Sequence, residues 1–307
     1  MPELPDVTVY VEHLERRVVG QPLTAVRLAS PFVLRSFEPK LSEASGKRVR
    51  AVSRLGKRIV LELEGDLAIV VHLMIAGRFR WKDAGAPVPK KLGLAAFDFP
   101  NGTLLLTEAS TKKRASIHVV RGREGLAALD PGGLEVLGAS LAAFKEALVR
   151  ESHTLKRTLT DPHLFSGIGN AYSDEILHRA KLSPVRLSRK LDDPEVRRLF
   201  DATRQVLTEW TVRLRAKSGD AFPEKVTAFH DEMAVHGRYG KPCPVCGALV
   251  ARIVYAANEA NYCATCQTGG KLLADRAMSR LLGKDWPRTL EELEQHKAER
   301  RERGPTK

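Results

Sequence analysis

The amino-terminal residues Met1, Pro2 and Glu3 are of types that could carry out covalent chemistry on an aldehyde. Removal of Met1 would leave the secondary amine of Pro2 as the terminus. Because α-amino groups have a pKa of about 7.7–8.0, part of this amine is nucleophilic near neutral pH. Its attack on an aldehyde gives an iminium ion that drives elimination, and Glu3 is placed to donate or accept the proton. The alternative is an ordinary terminus that proline makes rigid.

The four cysteines of the chain form a second group with recognisable chemistry. They occur as two close pairs, Cys243 with Cys246 and Cys263 with Cys266, and each pair has the spacing of a metal-binding knuckle. Four thiolates complete the tetrahedral coordination of Zn²⁺, so the sequence predicts a closed, structural zinc ribbon. Two disulfides are the alternative, which a cytoplasmic location disfavours.

The charge of the chain indicates a polyanionic partner. Its 307 residues carry a net charge of +13, an excess that favours nucleic acid through counterion release. A merely basic soluble protein is the alternative. No apolar run is long enough to span a bilayer and no secretory signal is evident, so we expect a cytoplasmic protein without a membrane partner.

The predicted secondary structure that must position these residues changes from a helix to β-strands along the first part of the chain. Residues 5–18 have a helical apolar spacing, and burial of that helix would hold Pro2 against the domain. From Leu23 to Val120, short apolar or alternating runs are separated by turn residues, which predicts an antiparallel β-sandwich or barrel. The predicted strands are residues 25–28, 49–52, 59–63, 67–73, 95–99 and 104–106.

Three parts of this β-region carry side chains suited to phosphate binding. Lys57 lies in a basic turn before a strand, and His72 ends another strand. A solvated turn lysine and a half-buried histidine are the alternatives. Residues 107–114 form a predicted polar loop that either contacts phosphate or is only exposed, and it ends in Lys112, Lys113 and Arg114.

After the Asp-Pro-Gly-Gly segment at residues 130–133, the apolar spacing becomes helical. The predicted helices are residues 141–150, 155–160, 171–180 and 193–217. A glycine-rich turn before the third of them ends in Asn170, which can cap the helix, and such a turn presents backbone N–H groups to an anion. Beyond it, the sequence predicts a hairpin between the cysteine pairs, with strands at 249–255 and 260–262 and a tip at 256–259, and then a charged tail with helices at 271–282 and 288–303.

The Met-Pro-Glu-Leu-Pro-Asp start, the Gly-Lys turn, the Gly-x-Gly-Asn turn and the closing cysteine ribbon occur in this order. Together they resemble the formamidopyrimidine-DNA glycosylase and endonuclease VIII family over roughly residues 2–267. The resemblance implies an α+β multidomain fold made of a β-sandwich with flanking helices, a helix-two-turn-helix domain and a zinc-ribbon finger. The expected boundaries are 1–130, 131–235 and 236–267, followed by a charged extension at 268–307.

The resemblance also implies a function. Members are bifunctional DNA glycosylase/AP lyases of base excision repair, so Pro2 would attack C1′ of a damaged nucleotide and Glu3 would move protons, with β,δ-elimination following. Lys57 would bind a phosphate and, as a nearby cation, keep the Pro2 amine deprotonated. The other residues expected to contact DNA are His72, Lys112, Lys113, Arg114, Lys156 and Asn170. The expected protein is a monomer that binds structural zinc and damaged DNA and is associated with the bacterial nucleoid.

Three positions depart from the family pattern. Asn258 stands where the family has a zinc-finger arginine, and Ile75 stands where it has a methionine. The loop at 110–114 holds no aromatic residue. Because these groups hold the duplex open, two alternatives remain. One is a related enzyme specialised for single-stranded, abasic or cross-linked DNA, and the other is a non-catalytic sensor of abasic sites.

Overall fold

The computed structural model describes residues 1–224, 226–227, 229–255, 258–273, 287 and 289–303. The backbone forms two compact units. The first consists of Met1–Leu137, Phe165–Ile168 and Leu207–Ala228, and the second of Gly138–Leu164, Gly169–Val206 and Phe229–Lys307. In the first unit, Phe165–Ile168 and Leu207–Ala228 lie far in sequence from Met1–Leu137, so chain order alone does not define the units.

Helix α1, Leu4–Val18, confirms the predicted first helix and buries one face in the first unit. The residues of this buried face recur at helical spacing and include Leu4, Val7, Tyr10, Leu14 and Val18. Asp6 in the first turn and Arg16 and Arg17 in the last turn complement the helix dipole. The helix therefore positions the amino-terminal residues against a packed core.

The first unit contains two antiparallel four-stranded sheets, which confirms the predicted β-sandwich. In chain order the strands are β1 Ala25–Leu28, β2 Val49–Leu55, β3 Arg58–Leu63, β4 Leu67–His72, β5 Gly77–Lys82, β6 Gly93–Phe99, β7 Gly102–Glu108 and β8 Ser116–Arg121. One sheet has the order β1-β6-β7-β5 and the other β2-β3-β4-β8. Alternate residues of both sheets, such as Ile59, Leu61 and Val71 on one and Phe79 and Phe97 on the other, form the core between them.

Two strands, β5 and β8, were missed by the sequence prediction. Their charged residues, such as Arg78 and Arg80, interrupt the apolar runs, and pairing with β7 and β4 is what makes them strands. The predicted loop at 107–114 is also wrong at its start, since β7 continues to Glu108. The Glu108 carboxylate then accepts hydrogen bonds from the backbone N–H groups of Arg114 and Ala115, at 2.8 and 3.1 Å, which closes a shorter loop.

The helices after residue 121 are α2 Gly122–Ala127, α3 Leu141–Arg150, α4 Leu155–Thr160, α5 Asn170–Arg179 and α6 Asp193–Ser218. Each of the last four lies within one or two residues of its predicted bounds. Helix α3 begins at Ser140, whose hydroxyl accepts a hydrogen bond from the Ala143 N–H. Among the described residues, none of the helices is long and apolar enough to cross a membrane.

A hairpin of β9 Val250–Tyr255 and β10 Asn258–Cys263 carries the second cysteine pair into helix α7, Ala264–Thr268. The predicted tip is therefore too long, because residues 258 and 259 belong to β10; residues 256 and 257 lie outside the described residues. Helix α8, Leu290–Arg303, falls within the predicted helix at 288–303. Most of the helix predicted at 271–282 lies outside the described residues.

Candidate active site and zinc centre

The amino-terminal turn is held by the backbone of residues 165–168 in the first unit. The Leu4 N–H donates to the Gly167 carbonyl at 2.9 Å, and Glu3 directly before it is buried, with a side chain placed at the start of α1. Gly167 has a φ of +78°, and a Cβ added there would lie 2.8 Å from the Leu4 Cβ. Only glycine fits this position without strain or a clash. The sequence prediction assigned Gly167 to an anion-binding turn and missed this packing role.

Lys57 contacts the next carbonyl of the same segment. It follows Gly56 in the turn between β2 and β3, and its Nζ donates to the Ile168 carbonyl at 3.0 Å. Burial lowers the pKa of Lys57, and the charge of Glu3 acts in the opposite direction. The structure therefore gathers Pro2, Glu3 and Lys57 around residues 167 and 168. Lys57 is half-buried, so it is not the solvated turn lysine that the sequence left as an alternative.

The environment of the terminus favours an unprotonated amine. Burial, chiefly, lowers the pKa of the Met1 amino group, and the charges of Arg78 and Lys57 lower it further, whereas Glu3 and Asp6 raise it. Arg78 on β5 was missed by the sequence prediction, although its alternation with Phe79 and Trp81 was a usable signal of a strand. A terminal amine at this position is thus a better nucleophile at neutral pH than an exposed one.

Asp6 is a second residue of the site that the sequence prediction missed. Its Oδ2 accepts a hydrogen bond from the Glu3 N–H at 2.9 Å, while its buried Oδ1 has no hydrogen-bond partner among the described residues. Burial, chiefly, raises the pKa of Asp6 to about 7. A carboxyl group that titrates near neutral pH therefore lies one helical turn from Glu3.

His72 lies at the end of β4, between Arg58 on β3 and Ser116 on β8. Burial, followed by the charges of Arg58 and Lys57, lowers the pKa of His72 to about 4, so the ring is neutral at pH 7. Within the described part of the chain, its buried Nε2 has no hydrogen-bond partner. An approaching phosphate would provide one and would favour protonation of the ring.

The cationic loop lies between β7 and β8, and its three cations differ in their contacts. The Lys113 Nζ donates to the Glu108 carbonyl, so the charge of Lys113 is engaged within the loop. The side chains of Lys112 and Arg114 are exposed at the surface. These two therefore remain the better candidates for a phosphate contact.

Lys156 and Asn170 meet in the second unit. The Lys156 Nζ donates to the Asn170 carbonyl at 2.5 Å and to Asp174 Oδ1 at 2.6 Å, and Asp174 Oδ2 lies 2.8 Å from His236 Nδ1. An approaching phosphate must therefore compete with Asp174 for the lysine. The predicted cap is wrong, since Gly169 is the N-cap of α5 and Asn170 is its first residue. The Asn170 side chain remains a prediction as a DNA contact.

Glu175 holds the chain that enters the zinc ribbon. Its carboxylate accepts three backbone hydrogen bonds, from Ala234 at 2.7 Å and from Val235 and His236 at 2.9 Å each. Burial raises the pKa of Glu175, and the three bonds act against that rise. Glu175 on α5 is thus a structural anchor for residues 234–236.

The four cysteines converge as a metal site requires. The Sγ atoms of Cys243, Cys246, Cys263 and Cys266 all lie within 4.8 Å of one another, and none of them forms a disulfide. Tetrahedral Zn–S bonds of about 2.3 Å place sulfur atoms roughly 3.8 Å apart, so these positions fit Zn²⁺. The chain binds structural zinc here, and no position is left for substrate.

A buried histidine on α5 also contacts this centre. His178 Nε2 lies 3.3 Å from Cys243 Sγ, within the distance of an N–H···S hydrogen bond. Such a bond stabilises a thiolate and orients it toward the metal. His178 therefore connects the helix that carries Glu175 to the first cysteine knuckle, a contact that the sequence prediction missed.

We expect His178→Phe to weaken zinc binding about 10- to 100-fold, because phenylalanine fills the buried space but donates no hydrogen bond to Cys243. Competition with a chromogenic chelator measures the affinity, and the thiolate charge-transfer bands of the Co²⁺-substituted protein report the ligand geometry. His178→Gln keeps an N–H donor and should recover part of the loss. Equal zinc affinities for wild type and both variants would contradict the role of the hydrogen bond.

Comparison with known proteins gives consistent matches along the chain. Residues 1–113 match the family described as "Formamidopyrimidine-DNA glycosylase N-terminal domain", residues 134–219 its "H2TH domain", and residues 240–269 the "Zinc finger found in FPG and IleRS". The formamidopyrimidine-DNA glycosylase of Thermus thermophilus is 36% identical over 282 residues, which cover 88% of this chain and 100% of the relative. That of Heliobacterium modesticaldum is 32% identical over 280 residues, covering 87% and 100%.

Solved structures give the same picture. The Lactococcus lactis enzyme in complex with Fapy-dG containing DNA is 28% identical, with a TM-score of 0.76 over 87% of this chain and 100% of that one. The same enzyme bound to DNA with an abasic site is 27% identical, with a TM-score of 0.76 over 87% and 99%. In both comparisons the similarity extends well beyond one domain.

Proposed function

The chain belongs to the formamidopyrimidine-DNA glycosylase family and is a DNA glycosylase with AP lyase activity, and we propose that both activities proceed through the nitrogen of Pro2. Removal of Met1 frees that nitrogen. Its lone pair attacks C1′ of the damaged nucleotide, and the bond between C1′ and the base breaks, with the base leaving with the electron pair and taking up a proton. The Pro2 nitrogen loses its own proton, and the C1′–O4′ bond then opens with protonation of O4′, which leaves an iminium ion between Pro2 and C1′. Loss of a C2′ proton from the resulting iminium then expels the 3′ phosphate and, after a further elimination, the 5′ phosphate.

One observation supports this proposal above the others. Buried Glu3 and half-buried Lys57 lie around the same backbone segment, 167–168, next to Pro2 and to the Met1 amino group, whose pKa is lowered chiefly by burial. The Lys57 cation is available both to a phosphate and to keep the amine unprotonated. Glu3 is the group of this cluster able to protonate the sugar oxygen and to carry protons between steps.

The DNA would be held mainly through its phosphates. His72 offers a buried, unpartnered ring nitrogen within the described residues, and Lys112 and Arg114 offer exposed cations. The large positive net charge of +13 supports the same mode of binding. The relatives named above are bacterial, which agrees with the expected cytoplasmic location; association with the nucleoid is part of the proposal.

We expect Glu3→Gln to lower the single-turnover rate of base excision by about 10²- to 10⁴-fold, because glutamine cannot exchange a proton at this position. Cleavage of an oligonucleotide that carries one oxidised guanine measures the rate. The control is Glu15→Gln, which removes a carboxylate from an exposed position of the same helix and should change little. A Glu3→Gln enzyme as fast as the control would remove Glu3 from the mechanism.

A second candidate within the same chemistry is an enzyme for DNA that is already unpaired or distorted. Ile75 is 58% exposed at the position of the family's methionine, and the loop between β7 and β8 has no aromatic side chain to wedge into a duplex. Excision rates on matched duplex and single-stranded oligonucleotides decide between the two. A strong preference for an oxidised guanine paired with cytosine would exclude the second candidate.

A further inference from the structure

We propose that the segment of residues 31–38 binds an unpaired stretch of the DNA strand, with bases stacked on Phe32 and Phe37 and a phosphate on Arg35. The inference rests on the proposed function, and it names a substrate class for it: DNA that is single-stranded next to the damaged nucleotide. The observations that carry it lie entirely within the first unit.

Phe32 and Phe37 are the most exposed aromatic side chains among the described residues, at 79% and 92% exposure. A single exposed apolar residue needs no explanation, but two exposed phenylalanines on one segment of six residues do. Aromatic faces beside cations are the elements with which proteins bind single-stranded nucleic acid, because every base can stack on them.

The segment is fixed to the sandwich and presents these rings from a defined position. The Arg35 N–H donates to the Ile117 carbonyl at 2.8 Å, and the Val119 N–H donates to the Ser36 hydroxyl at 2.7 Å. Leu34 forms a parallel bridge with Ile117 and packs against the core. Residues 34–36 therefore act as a short additional strand at the free edge of β8, and the phenylalanines on either side stay exposed.

The outer face of the same sheet carries a row of basic side chains, which consists of Arg35, His118, His72 and Arg58. Bridge partners share a face of a sheet, so Leu34 and Ile117 both face the core, and their neighbours Arg35 and His118 face outward. Arg58 and His72, which pair across β3 and β4, lie on the outer face as well. Burial, followed by the charges of Arg58 and Arg35, lowers the pKa of His118, so both arginines lie near this ring. Asp130 is the acidic group that acts on Arg58.

The row leads from the candidate catalytic site to the exposed rings. Arg58 follows Lys57 directly, and three strand spacings of about 4.8 Å separate β3 from residues 34–36, a distance of roughly 14 Å. One strand of DNA advances about 3.4 Å per nucleotide in a duplex and further when it is unpaired, so residues 34–36 lie within about four nucleotides of a phosphate bound at Lys57. The charges of Arg35 and Arg58 complement the DNA backbone and favour this partner over an apolar protein surface.

The test uses the double variant Phe32→Ala/Phe37→Ala with single-stranded and duplex oligonucleotides of equal length, each with one abasic site. Loss of stacking should weaken single-strand binding by about 5- to 150-fold per base contact, while duplex binding and trapping at a duplex abasic site stay unchanged. Phe32→Trp/Phe37→Trp should retain the binding, with tryptophan emission quenched by the single strand. Arg35→Gln should lower the slope of log affinity against log salt by about one.

Val212→Ala is the control, since Val212 is 54% exposed in the same unit but lies outside the segment. Unchanged single-strand affinity in the double alanine variant, or an equal fall for single strand and duplex, would overturn the inference. The proposed function is tested separately, because strand binding is measured without turnover. It would be contradicted if the wild-type protein formed no trapped adduct with an abasic site.

Discussion

Protein that retains Met1 is expected to form no borohydride-trapped adduct through residue 2, because the Pro2 nitrogen is then an amide without a nucleophilic lone pair. Protein that has lost Met1 should be trapped on an abasic oligonucleotide. The chain can be made in both forms by cell-free synthesis with and without methionine aminopeptidase, and intact mass verifies each form. The sequence of the two proteins beyond Met1 is identical, so they form a matched pair.

The residue that carries the trapped sugar identifies the nucleophile. Peptide mapping of the trapped protein should locate the sugar on Pro2, which the structure buries beside Glu3. Equal trapping of both forms, with the sugar on Lys57, would assign the chemistry to the lysine and contradict the proposal. Pro2→Gly is a third protein for comparison, since it keeps an amine at the terminus but replaces the secondary amine with a primary one.

Removal of zinc should unfold the ribbon while the β-sandwich remains folded. The small core of the ribbon consists of Val235, Val250 and the cysteines Cys243 and Cys263, with Ala248 and Cys266 packed against it. The hairpin also buries Ala251, Ile253 and Tyr262 in a second cluster. Three of the six residues around the metal site are zinc ligands, however, so we expect the fold of the ribbon to depend on the metal. Structural zinc contributes an apparent 10–16 kcal/mol in comparable small sites, roughly ten times the effect of an average point substitution.

Hydrogen exchange of the chelated protein measures this effect. Protection of β9 and β10 should be lost, whereas strands β3 and β4 in the centre of their sheet should keep theirs. Cys246→Ser should produce the same pattern because it removes one ligand, and Val245→Ser is its control at a neighbouring position that is 65% exposed. Retention of ribbon protection without zinc would show that the fold does not need the metal.

The features that the sequence predicted well depend on local spacing. A Cys-x₂-Cys pair places two thiolates on one knuckle whatever surrounds it, so the zinc site followed from the sequence. The helices α3 to α6 were predicted within one or two residues because their buried faces repeat every three or four positions. Strands β5 and β8 were missed because the prediction followed apolar runs, and their polar residues, such as Arg78, Arg80 and His118, break those runs; pairing with β7 and β4 makes these segments strands.

Three residues of the candidate catalytic site could be listed from the sequence, but Asp6, Arg78 and the assembly of the site could not. The sequence by itself assigned Pro2, Glu3 and Lys57 to the site, because they match the order of residue types in the motifs of the family. Only the tertiary structure decided that the carbonyls of Gly167 and Ile168 hold the first helix and Lys57 together. It also decided that Lys156 is paired with Asp174 and that Phe37 remains exposed. The physical reason is that burial and hydrogen-bond pairing join residues more than a hundred positions apart, and no local pattern in the chain records which of them will meet.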